Sequence, residues 1–358
     1  MRTYSTVAVL FVVALAGGVL LHHGDLRAQH GAGVTARRLT QNPLITTRSS
    51  ATLGDNINGP TVIRVPAWID RPLGRYYMYF AHHMGRFIRL AYANAVEGPW
   101  TVYEPGVLPV ETTAFYRPQP DPPENLENFY THVASPEIDI DSEHRQLVMW
   151  VHGWWTNGTM WPVGEAAARD WARRNGYGQL TQTTTSSDGL HFTTRPDLTK
   201  TSYLRAFRNE GSLYGMGRLG LLLRSKDPLT AFETGPNPFR DTKYAGRVRH
   251  VAVLERGSTL YVFLSGIADA PERIMVSTID IKGDWTTWKA SEPVDLLRPD
   301  APYECPTLPD LPSEPGDVKG EVRQLHDPDV FEDGGRTFLF YSFCGEQGIA
   351  AAELTFAQ

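Results

Sequence analysis

Gly59-Pro60-Thr61-Val62-Ile63, Gly74-Arg75-Tyr76-Tyr77-Met78-Tyr79-Phe80, Ile88-Arg89-Leu90-Ala91-Tyr92-Ala93 and Gly98-Pro99-Trp100 follow one another in a single stretch, and their reading decides the fold. Each run is short, rich in β-branched and aromatic residues, and bounded by Gly, Pro or a polar turn. That is the pattern of strands. The pattern then returns. A second copy runs Ser135-Pro136-Glu137-Ile138-Asp139, then 146–151, then 183–192. A third, weaker copy runs Leu204-Arg205-Ala206-Phe207, 211–214 and 221–225. The fourth is Arg249-His250-Val251-Ala252-Val253, 260–264 and 274–278, closing at Trp285. The fifth is Asp327-Pro328-Asp329-Val330-Phe331, 335–341 and 349–354. A sheet of three or four such strands cannot bury both faces alone, and repeats of this size stack radially as blades. The expectation is an all-β fold, a five-bladed β-propeller. A β-sandwich with long loops is the rival, and it leaves the repeated unit unexplained.

Two stretches interrupt the repeat. Residues 165–175 are rich in Ala and Arg at helical spacing and predict a short helical insertion in blade two. Residues 299–318 are rich in Pro and acids and predict a long ordered loop. Residues 29–38 read as a flexible leader, and 39–358 as one propeller domain.

The N-terminus carries an export pattern. Met1-Arg2 is positive, an uncharged apolar run spans Val7 to Leu21, and Leu26-Arg27-Ala28 ends on a small residue. Residues 1–28 therefore read as a signal peptide, because the run is shorter than the roughly 20 residues a spanning helix needs. An uncleaved anchor is the other reading. No later segment could span a membrane, so the protein is expected to be secreted or periplasmic. The net charge of -6 removes the basic surface that nucleic acid requires. Cys305 and Cys344 allow one disulfide in an exported chain, or two buried thiols. They have no zinc-ligand spacing.

The blade openings, above all Ser135-Pro136-Glu137-Ile138 and Asp327-Pro328-Asp329-Val330-Phe331, resemble those of glycoside hydrolase families 43, 32 and 68. The tail Gly345-Glu346-Gln347-Gly348-Ile349-Ala350 resembles the last blade of a family 43 protein. The resemblance implies hydrolysis of glycosidic bonds in an extracellular polysaccharide or oligosaccharide by a monomer. It implies acids at the axial starts of the blades, since this chemistry needs one protonated and one ionised carboxylate. It requires no organic cofactor and implies an axial calcium or sodium ion, with His250 as a candidate ligand.

Carried over residue by residue, the resemblance is uneven. Glu137 stands where family 43 has its second-blade Asp. Gly59 stands at the first-blade Asp, leaving Asp55 as a stand-in. Blade three opens on Arg205, with no acid there, and Asp327 opens blade five. The catalytic candidates are thus Glu137, Asp327 and Asp55. Arg205, Arg249 and His250 are candidates to position substrate, and His82, His152 and Trp154 to form a stacking rim at the ends of second strands. Glu346 occupies the corresponding place in blade five. A non-catalytic carbohydrate-binding propeller and a glycosidic phosphorylase remain the alternatives, the second because Arg205, Arg249 and His250 would suit phosphate.

Overall fold

The computed structural model describes residues 29–83, 85–117, 131–155, 178–316 and 318–357. The segment 1–28 read as a signal peptide and the helix expected at 165–175 lie outside them. The described chain forms five antiparallel sheets arranged as a propeller. Their first strands are Asn58–Arg64, Ala134–Asp141, Arg205–Asn209, Val248–Arg256 and Leu325–Asp333. These strands meet one another around the ring, so they line the axis.

The second strand of each blade has both faces buried, and this explains its unbroken apolar sequence. Successive side chains point to opposite faces. In blade one, Tyr76, Met78 and Phe80 pack with Phe338 and Phe340 of blade five. Tyr77 and Tyr79 pack on Leu147 and Met149 of blade two. Val148 and Trp150 of blade two turn the other way, onto Leu213 and Leu223 of blade three. Tyr214 and Leu222 meet Val262 and Leu264 of blade four. Phe263 and Val276 meet Leu339 and Tyr341 of blade five. Each gap between neighbouring blades thus has its own apolar filling, and the ring is closed by five such layers.

The segment read as a flexible leader is a strand. Val34–Arg38 pairs antiparallel with Gly348–Phe356, placing Val34 opposite Phe356 and Arg38 opposite Ala352. The first blade-forming residues therefore complete the last blade, with Val34 and Ala36 fully buried. A polar pair fixes this closure. The Arg38 guanidinium donates to both carboxylate oxygens of Glu304 at 2.7 Å and to the Arg298 carbonyl at 2.5 Å. Glu304 is wholly buried and also accepts from Tyr341 and from the backbone N–H groups of Asp300 and Ala301. It lies on the expected 299–318 loop, whose regular structure is one short turn at Pro302–Glu304. The next residue, Cys305, forms a disulfide with Cys344, Cα to Cα 5.3 Å. Cutting a buried charge pair at one end costs about 3–5 kcal/mol, because the partner charge stays behind. Arg38→Ala should therefore destabilise the domain by about 3 kcal/mol or more, measured as a shift of the urea midpoint. A shift below about 1 kcal/mol would mean that closure does not depend on this pair.

Among the described residues no helix is long and apolar enough to cross a membrane.

Candidate functional site

Four of the five axial strands begin with the same irregularity. Asn58 and Thr61 face Ala81 and Tyr79, so three steps on the inner strand oppose two on its neighbour. Ala134 and Glu137 face His152 and Trp150, Val248 and Val251 face Gly266 and Leu264, and His326 and Asp329 face Ser342 and Phe340. Each is a one-residue bulge, a device that re-aims side chains beside functional sites. In three blades the extra step is a left-handed residue followed by proline: Gly59-Pro60, Ser135-Pro136 and Asp327-Pro328, with φ of 57°, 42° and 50°. Tyr203, with φ 57°, takes the same place before Leu204-Arg205.

This register sorts the axial side chains into two layers. Gly59, Ser135, Tyr203 and Asp327 form the first. Two residues deeper, Thr61, Glu137, Arg205, Val251 and Asp329 form the second. Glu137 is therefore the counterpart of Asp329 and not of Asp327. The likeness between the two x-Pro-acid openings had set the wrong pair of acids against each other.

The second layer is an ion cluster centred on Arg205. Its Nη1 donates to Glu137 Oε2 at 2.7 Å and to the Pro136 carbonyl, and stands 3.6 Å from Asp329 Oδ1. Its Nη2 donates to the carbonyls of Pro60 and Pro328, and Nε to that of Val251. From blade three, one guanidinium reaches the inner strands of the other four blades. The second oxygen of Glu137 accepts from the Ala206 N–H at 3.0 Å. Both Glu137 oxygens are thus engaged, as is the whole of Arg205, and both side chains serve as anchors of the ring. Burial raises the Glu137 carboxyl against the pull of Arg205.

Asp329 is also raised, to about 7, first by burial and then by the charge of Glu137, against the pull of Arg205. This has a consequence for stability. Below about pH 4 the carboxyl is protonated in folded and unfolded chains alike and contributes nothing. Between there and about pH 7 the unfolded chain releases the proton and the folded chain holds it, so stability falls as pH rises. Above that the loss is complete, on the order of a few kcal/mol. Asp329→Asn keeps an oxygen for the Val62 N–H, 3.1 Å away, and should remove the slope. Its Tm should match the parent near pH 4 and exceed it at pH 8. A lower Tm at both values would show that the ionised carboxylate is needed.

The first layer opens onto a cluster of acids and histidines. Asp327 Oδ1 lies 3.2 Å from His250 Nδ1. Its other oxygen is 3.9 Å from His326 Nδ1, and the His326 Nε2 is 2.7 Å from the Gly345 carbonyl. Glu346 is held by Asn56 Nδ2 and by His83 Nδ1, the latter at 3.3 Å. One oxygen each of Asp327 and Glu346 and a nitrogen of His326 lie within 4.8 Å of one another. Glu272, from the turn after the second strand of blade four, joins His250 and His326 within the same limit. Its Oε2 takes Arg249 Nη1 at 2.5 Å. Tyr203 lies between His152 and His250, ring centroids 4.3 and 4.8 Å away.

Environment separates the two acids. Burial raises Asp327, and the charges of His326 and Arg249, themselves opposed by Glu346 and Glu272, do not undo that rise. Burial opposes ionisation of Glu346 too, yet the charge and hydrogen bond of His83, with His326 and Asn56, hold it at about 2. His250 and His152 are held neutral, well below the usual imidazole range, by burial and by neighbouring positive groups. A carboxyl whose ionisation is disfavoured beside one whose ionisation is favoured is the arrangement acid–base chemistry uses.

The other expected residues divide plainly. Asp55 does not reach the axis: its carboxylate is 95% exposed and pairs with His82 Nε2 at 3.2 Å on the rim. Trp154 ends a blade-two strand, half-buried. Arg249 is committed to Glu272 and the Gly316 carbonyl. The absent blade-one acid has a steric reason: a Cβ on Gly59 would stand 3.2 Å from Ser135 Cα. His83, which was read with His82 as part of the rim, holds Glu346, whereas Tyr203, Glu272 and His326 were not expected. Glu272 could have been found, since it stands two residues before the third strand of blade four, as Glu346 does before that of blade five.

A protein of Acanthamoeba polyphaga mimivirus, itself uncharacterized, is 31% identical over 341 residues, covering 88% of this chain and 89% of its own. The chain belongs to the family of that mimivirus protein. No protein-family profile matches it. Among solved structures, this chain is similar to an α-L-arabinofuranosidase from Lactobacillus brevis. The TM-score there is 0.52 at 14% identity, over 88% of this chain and 92% of that one. It is also similar to a glycoside hydrolase family 43 protein from Bacillus licheniformis, with TM-score 0.50 and 13% identity over 87% of this chain. It spans 53% of that longer chain. The fold is the five-bladed propeller of family 43 glycosidases, in a divergent sequence.

Proposed function

We propose that this protein is an exported glycosidase that cleaves an O-glycosidic bond in the axial pocket, with Asp327 and Glu346 as its working carboxylates. The observation that carries this reading is their meeting, oxygen within 4.8 Å of oxygen, at the axis of a propeller shared with family 43 enzymes. Retaining glycosidases hold their carboxylates roughly 5–5.5 Å apart, and inverting ones at roughly 6.5–9.5 Å to admit a water. The close pair favours retention. Asp327 would donate the proton to the leaving oxygen, and Glu346 would face the anomeric carbon. The Cys305–Cys344 disulfide supports an oxidising compartment and an extracellular substrate.

A binding propeller without turnover is the second reading, because the first-blade position is Gly59 and the third-blade strand opens on an anchoring arginine. The phosphorylase alternative loses its support, since Arg205 and Arg249 are both occupied by carboxylates and carbonyls.

The test is a screen of the purified protein against polysaccharides and aryl glycosides, reading new reducing ends and the anomer first formed. Release from at least one substrate, with retained configuration, is expected. Glycan binding without any product would establish the second reading instead.

A further inference from the structure

The axial cluster contains more electron-pair donors than its own residues satisfy. His326 Nδ1, Glu272 Oε1 and Asp327 Oδ2 lack a hydrogen-bond partner, and His250 Nδ1, although 3.2 Å from Asp327 Oδ1, makes no hydrogen bond either. None of the four residues is more than 5% exposed. Leaving a buried polar atom unpaired costs about 1–3 kcal/mol, so four in one place call for a missing partner.

The chemistry of that partner can be read from the atoms. Glu272 Oε1 and Asp327 Oδ2 are acceptors. The His326 Nε2–H donates to the Gly345 carbonyl, which leaves its Nδ1 as a lone pair. The lone pairs of Glu272 Oε1 and His326 Nδ1 converge here, and a bound cation would displace the proton of the Asp327 carboxyl beside them. A water donates only two hydrogens, whereas a cation accepts all of these donors at once.

A calcium or sodium ion, as the propeller resemblance implies, does not fit. Calcium takes six to eight oxygens, and two of the donors here are imidazole nitrogens. Imidazole with carboxylate suits zinc and its first-row neighbours. We propose that blades four and five hold one divalent transition-metal ion of the zinc class, ligated by His250, Glu272 and His326, with the Asp327 carboxylate close beside it. The supporting contacts are those such sites use. The Gly345 carbonyl fixes the His326 tautomer and Arg249 fixes the free orientation of Glu272. His250 and His326 stand on inner strands and Glu272 on a tight turn, so the ligands come from rigid elements. No short sequence motif announces the site, because its ligands lie in two blades.

The site stands apart from the glycosidase reading. Metal can be counted in a protein that turns over no glycan, and turnover can be seen in one that binds no metal. The experiment uses the full chain, purified without a histidine tag or chelator. Metal content is read by inductively coupled plasma mass spectrometry, and the chelator-stripped protein is titrated with Zn2+, Co2+ and Ca2+. The expected result is about one transition-metal ion per chain, a Tm raised by Zn2+ and unmoved by Ca2+, and visible d–d bands with Co2+. Glu272→Gln and His326→Ala should each weaken Zn2+ binding by about a hundredfold or more, while the exposed His144→Ala should not. Less than about a tenth of an equivalent of bound metal with no Zn2+-dependent Tm shift would overturn the proposal. So would a response to Ca2+ alone, or Zn2+ binding that survives both ligand substitutions. The measurements on the parent protein decide the matter even if a variant fails to fold.

Discussion

Arg205→Ala is expected to unfold most of the protein at room temperature. The side chain is wholly buried at the axis and is the cation shared by Glu137 and Asp329. Its removal strands Glu137 in a site that already disfavours its charge, at about 3–5 kcal/mol. The carbonyls of Pro60, Pro136, Pro328 and Val251 lose a donor at the same time, at about 1 kcal/mol each. Even partly additive, these losses approach the roughly 5–15 kcal/mol that holds a domain folded. Arg205→Lys should recover little. One ammonium cannot span acceptors contributed by four separate strands, whereas the planar fork can. Adding Glu137→Gln and Asp329→Asn to Arg205→Met should recover more than the lysine does, because it removes the orphaned charges with their partner. Urea unfolding followed by circular dichroism separates the variants. An Arg205→Ala protein with a midpoint near that of the parent would show that apolar packing between blades holds the ring without its axial tie.

The ring itself was legible in the sequence, and the reason is local. Each blade repeats a turn, an axial strand and an apolar second strand within a few tens of residues, so period and punctuation sit side by side. The closing strand was not legible. Val34-Thr35-Ala36-Arg37-Arg38 is short, and the strand that makes it a strand lies at the other end of the chain. The disulfide was undecidable for a similar reason, since the 5.3 Å between Cys305 and Cys344 is a property of the folded ring.

The site was half legible. Asp327, His250 and Glu346 were singled out because each opens or closes a strand at a repeated position, and the structure brings them into one cluster. Glu137 was taken as a catalytic acid alongside Asp327, yet it stands in the layer of Asp329, two residues deeper. Counting from the proline sets Glu137 against Asp329, and the partner of both is Arg205. The same count would have marked Tyr203 as the blade-three residue that looks into the pocket. His326 sits beside Asp327 in the chain, but its role depends on the Gly345 carbonyl across the sheet, which no spacing reveals.

The two axial carboxylates should fail in different ways when each is neutralised. Glu346→Gln is expected to lower kcat by about a thousandfold or more on every substrate that the parent cleaves, since no leaving group replaces the ionised carboxylate facing the anomeric carbon. Asp327→Asn removes a proton donor, a contribution of about a hundredfold to ten-thousandfold on natural glycosides. That loss should shrink to about tenfold or less on a dinitrophenyl glycoside, whose leaving oxygen departs without a proton. Both variants should stay folded, because an amide of the same shape keeps an oxygen for neighbouring donors. Circular dichroism checks this before kinetics. Equal losses from both variants on both kinds of substrate would remove the distinction between donor and nucleophile. A fully active Glu346→Gln enzyme would move the chemistry away from this pair altogether.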